Sequence, residues 1–185
     1  QLDEKGLRVR RGVAQDATFI TADSGPTGRP RGEEAKTRRS RDGDWAKRGK
    51  GSSFGYKLHV KTDLDHGLIR DLETTTASAH DSRVDLSHEG EVVYRDKGYF
   101  GVKPRGYDAT MRRGVRSHPV GIRDRLRNAR ISRRRAPVER AFAVLKRVLH
   151  AGHVLVATVD RVRVKMMFTC VCFNLLQLST LGITT

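Results

Sequence analysis

From Phe54 to Thr62 apolar side chains take every second position: Phe54, Tyr56, Leu58 and Val60 alternate with Gly55, Lys57, His59 and Lys61. That period predicts a half-buried strand. Asp63-Leu64-Asp65-His66-Gly67 reads as a turn and Leu68 to Thr74 as a returning strand, which together predict a β-hairpin. Upstream, the β-branched run Ala17 to Ala22 predicts a short strand closed by Ser24-Gly25-Pro26. Glu91 to Tyr94 is continuously apolar after its first residue, as in a buried central strand, and runs into Arg95-Asp96-Lys97-Gly98-Tyr99.

Elsewhere the period changes. Ala79 to Leu86 predicts a helix start, with His80 or Asp81 near the cap. Val138, Phe142, Leu145 and Leu149 recur at helical spacing behind Pro137, which suits a first helical turn. His153 to Thr158 predicts a short strand and Val159 to Leu181 a closing buried helix. Residues 24–53 show no period and predict a long basic loop, with Trp45 its only large apolar side chain. The order of elements predicts an α/β sandwich around one mixed sheet, with 1–15 a leading remnant or linker.

Charge changes this picture most. Of 185 residues, 37 are Lys or Arg and 21 Asp or Glu, a net charge of +16. Such an excess disfavours a neutral metabolic enzyme and points to a polyanionic partner. Fifteen Lys/Arg against three acids fall in residues 103–148, more than solubility needs, so phosphate contacts are expected there. Two Cys exclude a disulfide framework and fit a reducing cytoplasm. Cys170 and Cys172 lie in the apolar closing segment and are expected as core. The apolar stretch Val164 to Leu181 contains Lys165, Asn174 and Gln177, too short and polar to span a bilayer.

The candidate chemistry rests on separated carboxylates. Asp16 is expected to open the first strand, Asp96 follows the buried Val92-Val93-Tyr94 run, and Glu139 lies on the Pro137 helix. Functional groups gather at strand ends in open α/β sheets, and clustered carboxylates suit Mg²⁺, a hard cation that takes oxygen ligands. Ordinary turn-capping aspartates and an i,i+4 Arg135–Glu139 pair on a solvated face are the bland alternatives. Arg135, Glu139 and Lys146 share one helical stripe. Asp63-Leu64-Asp65 fails as a calcium loop because Gly67, Leu68 and Thr74 break the ligand pattern.

Five segments occur in a telling order: Asp16-Ala17-Thr18-Phe19-Ile20, Tyr56-Lys57-Leu58-His59, Thr74 to Asp81, Arg95 to Gly101, and Arg135 to Lys146. Together they resemble the catalytic domain of DDE transposases from prokaryotic insertion sequences, over roughly residues 10–180. The resemblance implies a ribonuclease-H-like α/β fold, a mixed sheet with flanking helices, over residues 16–181. It implies Mg²⁺-dependent DNA strand cleavage and strand transfer, with Mn²⁺ as a substitute metal. Asp16, Asp96 and Glu139 are implied as catalytic residues and metal ligands, with Asp23 the fallback for the first. The helical motif Y-x2-R-x3-E-x6-K is matched by Arg135, Glu139 and Lys146, but Ser132 stands where the family has Tyr.

Further expectations attach to that resemblance. Arg133, Arg134, Arg135 and Lys146 are expected to contact DNA phosphates, and Trp45 to stack on an unpaired base. The partners are transposon ends and target DNA, with self-association on DNA, no membrane, and a nucleoid-associated cytoplasmic setting. The first residue is Gln, and the chain reads as the catalytic portion of a longer protein that carries an N-terminal DNA-binding segment. The competing readings are an inactive remnant coating DNA through its charge, and a ribonuclease-H-like nuclease that cuts without joining.

Overall fold

A computed structural model describes residues 6–25, 40, 42–49, 51–116, 118–156 and 158–182. Among these residues, seven strands form one mixed sheet: β1 (Val13–Ala22), β2 (Asp44–Arg48), β3 (Gly51–Asp63), β4 (Ile69–Thr76), β5 (Val92–Arg95), β6 (Tyr107–Thr110) and β7 (His153–Val154). Three helices accompany them: α1 (Ile122–Arg134), α2 (Ala136–Arg147) and α3 (Val159–Thr180). The strand order is β2-β3-β1-β5-β6; β4 pairs with β3, and β7 with β1. β1 is antiparallel to β3 but parallel to β5, and β5 is parallel to β6. This is the mixed α/β sheet of a ribonuclease-H-like fold.

Alternation along β1 and β3 decides which face buries what. Ala14, Ile20, Tyr56, Leu58 and Val60 pack on one face with Val138, Phe142 and Leu145 of α2 and Val162, Met166 and Phe173 of α3. The intervening residues Gln15, Lys57, His59 and Lys61 turn to the other face, where a loop with little regular structure covers them. Gln15 ties that loop down, donating to the Val84 carbonyl and accepting from the Leu86 N–H. Lys57 donates to the Ala79 carbonyl, and Lys61 pairs with Glu91. The long central hairpin holds close to β1 because position 55 is Gly: a Cβ there would run into the Ile20 carbonyl.

Several expectations need correction. β1 begins at Val13, so Asp16 lies within the strand rather than opening it. The basic loop predicted over 24–53 ends sooner, because Asp44–Arg48 and Gly51 onward pair as strands; its residues 26–39, 41 and 50 fall outside the described residues. Trp45 is on the edge strand β2, packed edge-on against Phe54 with centroids 5.5 Å apart. The helix predicted from Ala79 is a single 3₁₀ turn, Asp81–Arg83, capped by His80. The basic stretch after 103 hides β6 and α1, which no apolar period announces. α3 is only half buried: Cys170 is inside, but Cys172 is exposed. Among the described residues no helix is long and apolar enough to cross a membrane.

Candidate active site

Asp16 and Asp96 come together through backbone pairing. The parallel register sets Val13 beside Val93, Ala14 beside Tyr94 and Gln15 beside Arg95. One further step brings Asp96, just past the end of β5, alongside Asp16. Asp96 caps the 3₁₀ turn Lys97–Tyr99, its carboxylate accepting the Lys97 N–H. Behind it Arg95 is fully buried, donating to Thr110 Oγ1 and the Val102 carbonyl and lying over the Tyr99 ring. That buried guanidinium joins β5, β6 and the following loop, and so fixes the strand end that presents Asp96.

The third carboxylate arrives on α2. Pro137 lies in the first helical turn, where the missing N–H costs nothing, and Val138, Ala141, Phe142 and Leu145 seat the helix on the sheet. Arg135 joins α1 to α2 and is buried. Its Nη2 donates to Asp16 Oδ2 at 2.5 Å, while its Nη1 lies 3.9 Å from Glu139 Oε1. One guanidinium therefore sits against carboxylates from the central strand and from the helix. Burial raises the Asp16 pKa; Arg135 and the Ala17 N–H oppose that shift, and the neighbouring Asp96 charge adds to it. Glu139 stays 59% exposed on its side chain, open to a partner.

The remaining candidate residues fall in distinct places. Asp23 lies beyond the end of β1 and accepts the Gly25 N–H. Arg133 and Arg134 are exposed on the last turn of α1. Lys146 is half-buried on α2. Arg135, expected against DNA phosphates, is buried against Asp16 in this arrangement. The sequence assigned no individual role to Lys57 and His59. Lys57 Nζ pairs with Asp81 at 2.9 Å. His59 is fully buried with Nε2 3.0 Å from Thr75 Oγ1, and burial lowers its pKa to about 4. The alternation of β3 sets both on the polar side of the strand.

Comparison with known proteins fits this arrangement. A family model described as the transposase DDE domain matches residues 7–175. The transposase for insertion sequence element IS1106 from Neisseria meningitidis serogroup B is 31% identical over 200 aligned positions, covering 96% of this chain and 69% of that protein. The chain belongs to the DDE transposases. No solved structure matches it. DDE transposases cleave DNA strands and transfer them, so DNA is the substrate and the reaction is phosphodiester chemistry.

The family works with a divalent metal, and the donor set here suits one: Asp16, Asp96 and Glu139 offer only hard oxygen ligands. The raised Asp16 pKa, due chiefly to burial with a contribution from Asp96, marks a carboxylate that gains from added positive charge. Among the described residues, however, no three carboxylate, His or Cys side chains are yet gathered tightly enough for an ion. Arg135 instead lies against Asp16 and 3.9 Å from Glu139.

Proposed function

We propose that Asp16, Asp96 and Glu139 are the catalytic carboxylates of this transposase, and that together they hold Mg²⁺, with Mn²⁺ as a substitute. The reading is carried by one observation: the β1/β5 register sets Asp16 beside Asp96 while Arg135 bridges Asp16 toward Glu139. When bound, the metal supplies Lewis-acid activation of a water or 3′-hydroxyl and offsets charge on the leaving oxygen. The protein's part is placement. β1 and the end of β5 fix two carboxylates rigidly, and the exposed Glu139 side chain swings in from α2. Arg135 neutralises the cluster until then, and its release toward the DNA backbone opens Asp16.

The DNA is proposed to cross the basic surface beside α2, with Arg133, Arg134 and Lys146 near its phosphates and Trp45 against an unpaired base. Transposon ends and target are held by self-associated copies, in the nucleoid of a prokaryotic cytoplasm. The test is nicking of duplex DNA by Glu139→Gln, which preserves shape and removes charge. It should abolish Mg²⁺- or Mn²⁺-supported nicking while changing stability by under about 0.5 kcal/mol, as expected for an exposed position. Ca²⁺ should support binding without cleavage, because its looser geometry leaves the nucleophile misaligned. Parent-like nicking by Glu139→Gln would remove it from the catalytic set.

A further inference from the structure

α3 is apolar on two opposite sides, yet the described residues cover only one. Val162, Met166, Cys170 and Phe173 are buried against the sheet, and Asn174 clasps the Ile69 backbone through both its N–H and C=O. On the far side Val164, Met167, Phe168, Val171 and Leu175 follow at i, i+3, i+4, i+7 and i+11, flanked by Leu176. These six side chains are between 45% and 62% exposed. A helix that is apolar all round normally has cover all round. Among the described residues the far side of α3 lacks that cover.

We infer that this stripe is the contact between two copies of the chain, packed α3 against α3 in antiparallel order. The inference rests on the self-association proposed above and names its surface. The stripe exposes roughly 500 Å² of apolar surface per copy, at the upper end of what a lone soluble chain shows. Doubled across a two-fold axis and joined by its rim, it reaches roughly the 1,200 Å² at which specific interfaces begin. Charge selects the order. Arg161, Arg163 and Lys165 outnumber Asp160 at the N-terminal end of α3, with Arg163 also paired to Glu73, whereas Gln177 to Thr180 at the other end carry no charge. Antiparallel packing sets each cationic end beside the partially negative C-terminal turn of the other copy, while parallel packing would stack like charges.

Sedimentation equilibrium of the purified chain, alone and on duplex DNA, tests the surface. The parent should dimerise, and Phe168→Glu should weaken that dimer about tenfold or more with an unchanged circular dichroism spectrum. Dimerisation seen only on DNA, and abolished there in Phe168→Glu, supports the surface equally. In a Cys172→Ser background, Val164→Cys combined with Leu175→Cys should yield a disulfide-linked dimer on oxidation, and Val164→Cys alone should not. A parent that stays monomeric in both conditions overturns the surface and self-association together. Phe168→Glu that still dimerises on DNA overturns the surface alone, and cross-linking through Val164→Cys alone overturns the antiparallel order.

Discussion

Asp16 and Arg135, 119 positions apart in the chain, meet at 2.5 Å with the arginine almost wholly buried. The pair fastens the central strand to the junction of α1 and α2, and the same guanidinium reaches toward Glu139. A buried pair of this kind adds little over a well-packed apolar pair, but removing one partner strands the other without its counter-charge.

Arg135→Gln should therefore destabilise the fold by about 2–4 kcal/mol, because Asp16 would face Asp96 with no neutralising cation. Adding Asp16→Asn should recover part of that loss, since the double variant leaves no uncompensated charge. Urea denaturation of the parent, both single variants and the double variant forms the cycle. An Arg135→Gln chain as stable as the parent would mean that the pair couples nothing.

His59 makes stability sensitive to mild acid. Burial holds its imidazole neutral down to about pH 4, despite the favourable charge of Asp81, whereas in the unfolded chain it takes a proton near pH 6.5. A lowered pKa on a base means that the unfolded state binds the proton first. Its contribution is therefore fully present above pH 6.5, declines as pH falls through that window, and is gone below about pH 4. The gap corresponds to about 3 kcal/mol. His59→Gln should flatten the fall in unfolding free energy between pH 6.5 and 4, read by denaturant titrations at successive pH values. An identical slope in both chains would assign the acid sensitivity to other groups.

Binding to duplex DNA should weaken steeply with salt, and Arg133 and Arg134 should account for part of that slope. Removing one cation that pairs with a phosphate lowers the slope of log K against log salt by roughly 0.9. Arg133→Glu and Arg134→Glu should each flatten it without unfolding the chain, as both side chains are exposed on α1. Fluorescence anisotropy across a salt series measures this. Unchanged slopes in both variants would place the DNA on another face.

The sequence by itself determined the β3–β4 hairpin, the strand that ends just before Asp96 and the α2 helix with its buried Val138-Phe142-Leu145 face. Each is written in a local period of two or 3.6, or in a fixed turn chemistry. The three carboxylates could be proposed because each stands close to such an element, and the family resemblance ordered them. α1 and β6 were illegible for the opposite reason: α1 is an arginine-rich helix whose single buried residue is Ile131, and β6 buries only Thr110, so neither leaves an apolar rhythm. Only the tertiary structure decided what Arg135 does. Helical spacing set it near Glu139 on a stripe that reads as solvated, but the docking of α2 beside β1 drives it inward onto Asp16. Only the tertiary structure, too, left one side of α3 exposed among the described residues, since a one-dimensional pattern records that a helix is apolar all round and not how many neighbours pack against it.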